Sequence, residues 1–168
     1  MPSFIPPEVL LLGPGPSPVP QRILDALARP TIGHLDPRFV GMMDDLKRLL
    51  RYAFQTGNEL TIPVSAPGSA GMETAFVNVI EPGDTVIVCQ NGVFGGRMRE
   101  NVMRIGAMPV MVNDAFGTPI DLDKVRSALK ANPGARALAF VHAETSTGVE
   151  SDAAGLCRLA QEHGALSI

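Results

Sequence analysis

The stretch EPGDTVIVC, residues 81–89, places a turn directly before a strand. Pro82 and Gly83 suit the corner of a turn, and the TVIVC that follows is apolar after its first residue. A short apolar run that begins at a turn signal is typical of a buried strand. Whether this strand belongs to a parallel or an antiparallel sheet is indicated by the segments on either side of it.

Helical and strand-like patterns alternate along the chain on both sides of this strand. Parallel strands need crossover helices on the faces of their sheet, so the alternation predicts a doubly wound, mostly parallel α/β sheet with helices on both faces. In chain order we expect a helix from about residue 69 to the turn, a helix at 97–105 that ends at Gly106, a strand at 108–112, a helix capped by Asp121, a strand at 137–141, a helix that ends at Gly164 and a strand at 165–168.

The N-terminal part of the chain has a less regular pattern. Residues 1–20 are rich in Pro and Gly and predict an extended strap, so we divide the chain into this strap and a domain at 21–168. A helix is expected after Asp36, its N-cap, with one apolar stripe buried. The LTIPV of residues 60–64 resembles a strand, and because Pro63 has no N–H to donate, we place this strand at an edge of the sheet.

The composition predicts a folded domain. The chain has 168 residues, of which 45% are hydrophobic and 18% charged, which is enough apolar material for a sizeable core. A formal net charge of -3, with Lys and Arg scattered, argues against a nucleic-acid partner. No apolar run approaches the length of a membrane span and the start lacks a signal-peptide pattern, so we expect a cytoplasmic protein. Cys89 and Cys157 have no metal-site spacing, and we expect both to be buried and no metal site to be present.

Loops at the carboxyl ends of the strands are where such a sheet binds ligands. APGSAG, residues 66–71, has almost no side-chain bulk directly before a helix. The N–H groups at a helix start carry partial positive charge, small residues let an anion approach them, and Ser69 adds a hydroxyl. The loop therefore suits a phosphate group, and close packing is the alternative explanation of its small residues.

Two further loops carry side chains that suit a ligand. Phe94 lies among Gly92, Gly95 and Gly96, as a platform for a flat ligand would, and a place in the core is the alternative. The ETSTG of residues 144–148 supplies hydroxyls and a carboxylate after a strand. A polar turn that caps the next helix is the alternative there.

Together these segments resemble a known family. In this order and spacing they are similar to alanine–glyoxylate and serine–glyoxylate aminotransferases, class V members of the fold-type I enzymes that depend on pyridoxal phosphate. The resemblance covers essentially the whole chain but only about the first half of a family protein, so we expect a truncated large domain. The motifs are LLGPGPS at 11–17, VSAPGSAGME at 64–73, VNVIEPGD at 77–84, NGVFGGR at 91–97 and HAETSTGV at 142–149.

The resemblance implies that the chain binds pyridoxal phosphate. Gly68, Ser69 and Ala70 match the residues that hold the cofactor phosphate, mainly through backbone N–H groups and the Ser69 hydroxyl. Phe94 matches the aromatic residue that stacks on the pyridine ring. These are expectations taken from the family.

The resemblance also implies contacts to the ring oxygen and to the substrate. Ser146 matches the hydroxyl near the 3-oxygen of the ring, with Thr145 or Thr147 as the alternative. The GPGP of residues 13–16 matches the strap that lines the substrate pocket. Its pocket residues are Gly13, Pro14 and Gly15.

The activity implied is transamination, from a small amino acid such as alanine or serine to glyoxylate or a similar 2-oxo acid, by a homodimer. It requires a Schiff-base lysine, which the resemblance places beyond residue 168. Lys47, Lys124 and Lys130 lie in helical patterns that indicate solvated charges. We therefore expect no catalytic residue within this chain and no activity from the chain alone.

Three alternatives remain open from the sequence. Two are related class V enzymes, an aminoethylphosphonate transaminase or a cysteine desulfurase, and Phe94 argues against the desulfurase, which typically stacks a His. The third is a catalytically inactive binding module that keeps part of the fold. A C-terminal peroxisomal signal in the full-length protein would change the expected location.

Overall fold

The computed structural model describes residues 3–168, which form two compact units, Met1–Ser65 and Ala66–Ile168. The division of the chain at residue 20 that the Pro-rich strap predicts stays a prediction. Residues 3–20 form no helix or strand.

The first unit contains two helices, α1 (Gln21–Leu27) and α2 (Pro37–Phe54). The expected N-cap is confirmed, because the Asp36 carboxylate accepts the N–H of Arg38 at 2.9 Å. The expected burial of one α2 stripe is wrong for the described structure, since no residue of this helix is buried. The apolar stripe is present but only half-buried, and its members are Phe39, Met43, Leu46 and Leu50.

The strand expected at residues 60–64 is also wrong. These residues are irregular, and the N–H of Thr61 donates to the nearby carbonyl of Glu59 at 2.9 Å instead of to a strand. Pro63 removes a second donor, so the segment has too few free N–H groups to sustain a ladder.

The second unit contains the sheet. In chain order its elements are α3 (Gly68–Val79), β1 (Thr85–Gln90), α4 (Val93–Ile105), β2 (Met108–Asn113), α5 (Leu122–Ala131), β3 (Ala137–Ala139), β4 (Ala143–Glu144), β5 (Val149–Glu150), α6 (Ala153–Glu162) and β6 (Leu166–Ser167). Strands β1, β2, β3 and β6 form a parallel sheet in the order β2-β1-β3-β6, and β4 and β5 form a separate antiparallel hairpin.

Side chains of β1 point alternately into two cores. Val86 and Val88 pack with Phe76 of α3 and Val102 of α4 on one face. Ile87 and Cys89 pack on the other face, against a cluster supplied mainly by α5 and α6. Helices therefore cover both faces, and the predicted doubly wound α/β architecture is confirmed.

The start of α4 differs from the expectation. The sequence predicts a helix from about residue 97, because glycines at 92, 95 and 96 disfavour helix. The helix instead begins at Val93, so Phe94 belongs to its first turn and not to a loop. Tertiary contacts described below hold this first turn.

The two cysteines lie in different environments. Cys89 is buried as expected, but the expected burial of Cys157 is wrong, because this thiol is exposed. Its neighbour Leu156 belongs to the buried stripe of α6 with Leu159 and Ala160, and the next position along a helix lies about 100° around the axis. Burial, with a smaller contribution from Asp114, raises the pKa of Cys89 to about 12.

Two features are absent from the part of the chain that the structure describes. Among residues 3–168, no helix has both the length and the apolar content that a membrane crossing requires. The same part of the chain contains no group of three or more His, Cys, Asp or Glu side chains placed to hold a metal ion.

The core predicts a large difference between two leucines. Leu138, on β3, is fully buried, whereas Leu27, at the end of α1, is 77% exposed. We expect Leu138→Ala to lower the free energy of unfolding by about 2–5 kcal/mol and Leu27→Ala to change it by less than about 0.5 kcal/mol. Urea denaturation of both variants measures this, and equal effects would contradict the assignment of the core.

The thiols predict selective chemical modification. At pH 8 we expect iodoacetamide to alkylate Cys157 rapidly, and Cys89 only as fast as the chain unfolds, because Cys89 is buried and its raised pKa keeps it protonated. Mass spectrometry of the alkylated peptides measures both rates. Rapid labelling of Cys89 in the native chain would show that β1 is not enclosed.

Candidate functional site

The carboxyl ends of β1 and β3 lie side by side in the sheet. From β1 the chain crosses over one face through α4 to β2, and it then returns over the other face through α5 to β3. The strand order therefore reverses between β1 and β3, and such a switch point is where doubly wound sheets bind ligands. The candidate site is built from the segments that follow these two strands and from the start of α3.

The start of α3 contains Gly68, Ser69 and Ala70. Its N-cap, Pro67, provides no side-chain hydrogen bond, and Gly68 and Ser69 are exposed. The N–H of Ala70 donates to the carbonyl of Pro67 at 2.9 Å, whereas the N–H groups of the two residues before it have no intrahelical partner. This end of the helix thus presents donors and a hydroxyl to an anion.

Arg97 connects this helix start to Phe94. Its Nη1 donates to the Ser69 Oγ at 3.0 Å, and its guanidinium carbon lies 4.9 Å from the centre of the Phe94 ring. The sequence analysis did not single out Arg97. The available signal was spacing, because residues three apart on a helix share a face, but that signal required knowing that α4 starts at Val93.

Phe94 is half-buried and belongs to neither core cluster. Two glycines beside it have a packing role. A Cβ on Gly92 would lie 2.3 Å from the Glu144 side chain, and a Cβ on Gly95 would lie 2.6 Å from the backbone oxygen of Cys89. The low bulk around Phe94 therefore allows α4 to begin close against β1 and the β4–β5 hairpin.

Glu144 is the buried polar residue of the site, with 1% of its surface exposed. Its Oε2 accepts the N–H of Phe94 at 3.2 Å. Its Oε1 accepts the N–H of Ser146 at 3.0 Å and the Ser146 hydroxyl at 2.6 Å. The Ser146 oxygen in turn accepts the N–H of Val93 at 3.1 Å. We call these contacts among Glu144, Ser146, Val93 and Phe94 the Glu144 network.

The three candidate hydroxyls have different surroundings. Ser146 donates and accepts within the Glu144 network, and Thr147 Oγ1 donates to the carbonyl of Glu144 at 3.4 Å. Thr145 is exposed, and its hydroxyl has no hydrogen-bond partner among the residues that the structure describes. The assignment of the ring-oxygen contact to Ser146 stays a prediction, and Thr145 offers the free hydroxyl.

The charges near Ser69 balance each other. An open groove of about 240 Å³ between α3 and α4 is lined by Ser69 together with two arginines and two glutamates. Any preference for an anion therefore depends on the N–H groups of α3 and on Arg97, and not on a net positive surface. The charged residues are Glu73, Arg97, Glu100 and Arg104.

The predicted substrate-pocket residues Gly13, Pro14 and Gly15 are exposed and lie in the first unit. Their role stays a prediction.

Comparison with known proteins identifies the class of this fold. No protein-family model matches the chain. The crystal structure of a ureidoglycine–glyoxylate aminotransferase from Bacillus subtilis superposes with a TM-score of 0.92 at 32% identity, over 98% of this chain and 42% of that one. That of an alanine–glyoxylate aminotransferase from Nostoc sp. superposes with a TM-score of 0.89 at 42% identity, over 98% and 44%. The fold is that of the fold-type I aminotransferases.

The sequence identifies the family within that class. An alanine–glyoxylate aminotransferase of Oryctolagus cuniculus is 42% identical over 144 residues, which are 85% of this chain and 36% of that protein. The resemblance to the alanine–glyoxylate aminotransferase family is thus confirmed for the residues that this chain contains. The chain spans about two fifths of the length of such relatives.

The Glu144 network predicts opposite outcomes at two glycines of one segment. We expect Gly92→Ala to lower the free energy of unfolding by about 1–3 kcal/mol, because the new Cβ would meet the buried Glu144 side chain. Gly96→Ala is the matched control, since its Cβ would touch only the flexible end of Gln90 at 3.4 Å and Ala favours helix by up to about 1 kcal/mol. Thermal unfolding compares them, and a neutral Gly92→Ala would contradict the close approach.

Proposed function

We propose that the protein to which this chain belongs is a pyridoxal-phosphate-dependent aminotransferase that transfers an amino group from a small amino acid, alanine or serine, to glyoxylate or a similar 2-oxo acid. The observation that carries the proposal is the 42% identity to an alanine–glyoxylate aminotransferase over 85% of this chain. The site residues described above support it.

The donors at the site suit pyridoxal phosphate. A phosphate needs several N–H or O–H donors and gains from a nearby cation, and the start of α3 combines free N–H groups, the Ser69 hydroxyl and the Arg97 guanidinium. When bound, pyridoxal phosphate supplies an electron-accepting ring that stabilises negative charge on the substrate α-carbon. The roles below belong to the residues of this chain.

In this proposal the free N–H groups of Gly68 and Ser69 and the Ser69 hydroxyl would hold the phosphate, with Arg97 beside them, whereas the predicted N–H of Ala70 is engaged by the Pro67 carbonyl. Arg97 already donates to the Ser69 hydroxyl, so a phosphate beside Ser69 lies within reach of its guanidinium. A charge-assisted contact of this kind is stronger than one between neutral groups. Arg97 would therefore neutralise part of the phosphate charge, and it already contacts the Phe94 ring.

Phe94 and the residues after β4 orient the ring. The Phe94 ring has two faces, and the guanidinium of Arg97 lies over one of them. For the 3-oxygen we propose Thr145, the alternative to the predicted Ser146, as the residue that would offer a hydroxyl, because the hydroxyl of Ser146 is engaged by Glu144 and Val93.

Lys124 does not suit covalent attachment of the cofactor. Lys124 donates to the Asp114 carboxylate at 2.5 Å and to the carbonyl of Asn113, and the hydrogen bond to Asp114 raises the pKa of Lys124. A raised pKa keeps the amine protonated at neutral pH, and a protonated amine is not a nucleophile. We propose that the lysine that binds the cofactor covalently comes from the part of the protein outside residues 1–168.

A homodimeric, cytoplasmic protein is also proposed. The apolar side chains exposed in the first unit support a protein contact there, among them Phe4, Leu12, Leu27 and Leu35. The location is supported by the two cysteines, which are both free thiols, as is usual in a reducing compartment.

The activity is tested by comparing this chain with the full-length protein that contains it. Each is given pyridoxal phosphate, alanine or serine, and glyoxylate, and glycine formation is followed. We expect saturable glycine production by the full-length protein only, because the lysine that we propose for covalent attachment of the cofactor lies outside this chain.

Two results would contradict this proposal. An inactive full-length protein would remove the aminotransferase assignment and favour an inactive binding module. Glycine production by the 168-residue chain that disappears in Lys124→Ala or Lys130→Ala would show that a lysine within the chain does the chemistry.

A further inference from the structure

We propose that Glu144 is a positioning residue that holds the Phe94 ring and the hydroxyl-bearing residues 145–147 in one fixed arrangement at the cofactor site. The proposal rests on the proposed function for the identity of the ligand. It assigns to Glu144 no contact with the cofactor or the substrate. Its action is through the backbone of α4 and through Ser146.

The first support is the burial of the Glu144 carboxylate among hydrogen-bond donors. A carboxylate removed from water is costly unless donors surround it, and Glu144 is 1% exposed. Both of its oxygens accept hydrogen bonds, one from Phe94 and the other from Ser146. Every polar contact of the side chain is therefore with a donor of the candidate site.

The second support is the identity of the helix that Glu144 caps. A polar residue after a strand usually caps the next helix, but α6 has its own cap, because Asp152 accepts the N–H of Gly155 at 2.9 Å. Glu144 instead faces the start of α4, fifty residues earlier in the chain. A negative charge at a helix N-terminus is favourable, so this contact fixes the first turn of a helix whose glycines disfavour it.

The third support is the absence of a side chain at Gly92. Any Cβ there would lie 2.3 Å from the Glu144 side chain, so the carboxylate fits into space that only glycine leaves. This close contact therefore fixes the position of the hairpin relative to the first turn of α4. Phe94 lies on the first-turn side of this contact, and Thr145 lies on the hairpin side.

Glu144→Gln tests this arrangement with little change in volume. Gln replaces one carboxylate oxygen by an NH₂ group, so a donor would face either the N–H of Phe94 or the groups of Ser146. We expect the first turn of α4 to loosen while the cores remain intact. Glu150→Gln is the matched control, because Glu150 lies on the same hairpin with 79% of its side chain exposed.

The first measurement needs no cofactor. The chain has no tryptophan, so Phe94→Trp introduces a single tryptophan, whose fluorescence can be excited selectively, at the position in question. In this background we expect Glu144→Gln to shift the emission to longer wavelength and to raise the acrylamide quenching constant about twofold, as a loosened aromatic side chain becomes more exposed. Glu150→Gln should change neither. Ser146→Ala, which removes only one partner of the network, should give a smaller change of the same sign.

The second measurement uses the full-length protein that contains this chain and pyridoxamine 5′-phosphate, which has no aldehyde and so cannot attach to surface lysines. Calorimetry should give an affinity about fivefold weaker for Glu144→Gln, since the loss of an aromatic stacking partner is a difference of about 1 kcal/mol. In a Phe94→Leu background Glu144→Gln should have a smaller effect, because only its action through Ser146 on residues 145–147 then remains. The affinity for inorganic phosphate should not change.

The outcomes separate this proposal from the proposed function. An unchanged tryptophan signal in Glu144→Gln, or an equal loss of affinity with and without the Phe94→Leu substitution, would overturn the positioning role. A reporter that responds in this chain, combined with a full-length protein that does not bind pyridoxamine 5′-phosphate, would support the Glu144 arrangement and overturn the proposed function. If Glu144→Gln unfolds the chain, the smaller Ser146→Ala change decides, and its absence would overturn the proposal.

Discussion

The burial of β1 on both faces is the constraint on which the second unit depends. Val86, Ile87, Val88 and Cys89 are all fully enclosed, so this strand has no face that water can reach. Such a strand is stable only between two strands and between two layers of helices, which is the arrangement around it. Its carboxyl end is consequently central in the sheet and next to that of β3. The location of the candidate site follows from this position.

The Glu144 network is where the requirements of the fold and of the site meet. The first turn of α4 contains glycines that disfavour helix, and it forms because a buried carboxylate and a serine hydroxyl accept its N–H groups. The same contacts determine where Phe94 lies. Burying the Glu144 carboxylate is costly, but this carboxylate holds together the start of α4 and the β4–β5 hairpin, which are distant in sequence.

Much of the sheet and its helices could be predicted from local pattern. The turn at Pro82, the apolar run of β1 and the cap at Asp121 are signals within a few residues of the structure that they determine. The predictions that failed depended on neighbours. LTIPV at residues 60–64 has the composition of a strand but forms none, and Cys157 shares a helix with buried residues but lies off their stripe. The composition of a segment does not show which of its side chains the neighbouring elements bury.

Local sequence is enough to predict the doubly wound class, the donors at the start of α3 and an aromatic residue near the end of β1, because each depends on the periodicity or conformational preference of a short segment. The three-dimensional arrangement was needed to show that Arg97 joins Ser69 to Phe94, that the Ser146 hydroxyl is engaged, and that Glu144 caps α4. The hydrogen bonds that join these segments connect residues 28 to 53 positions apart along the chain. Their pairing depends on how the strands order themselves in the sheet, and no local pattern encodes that order.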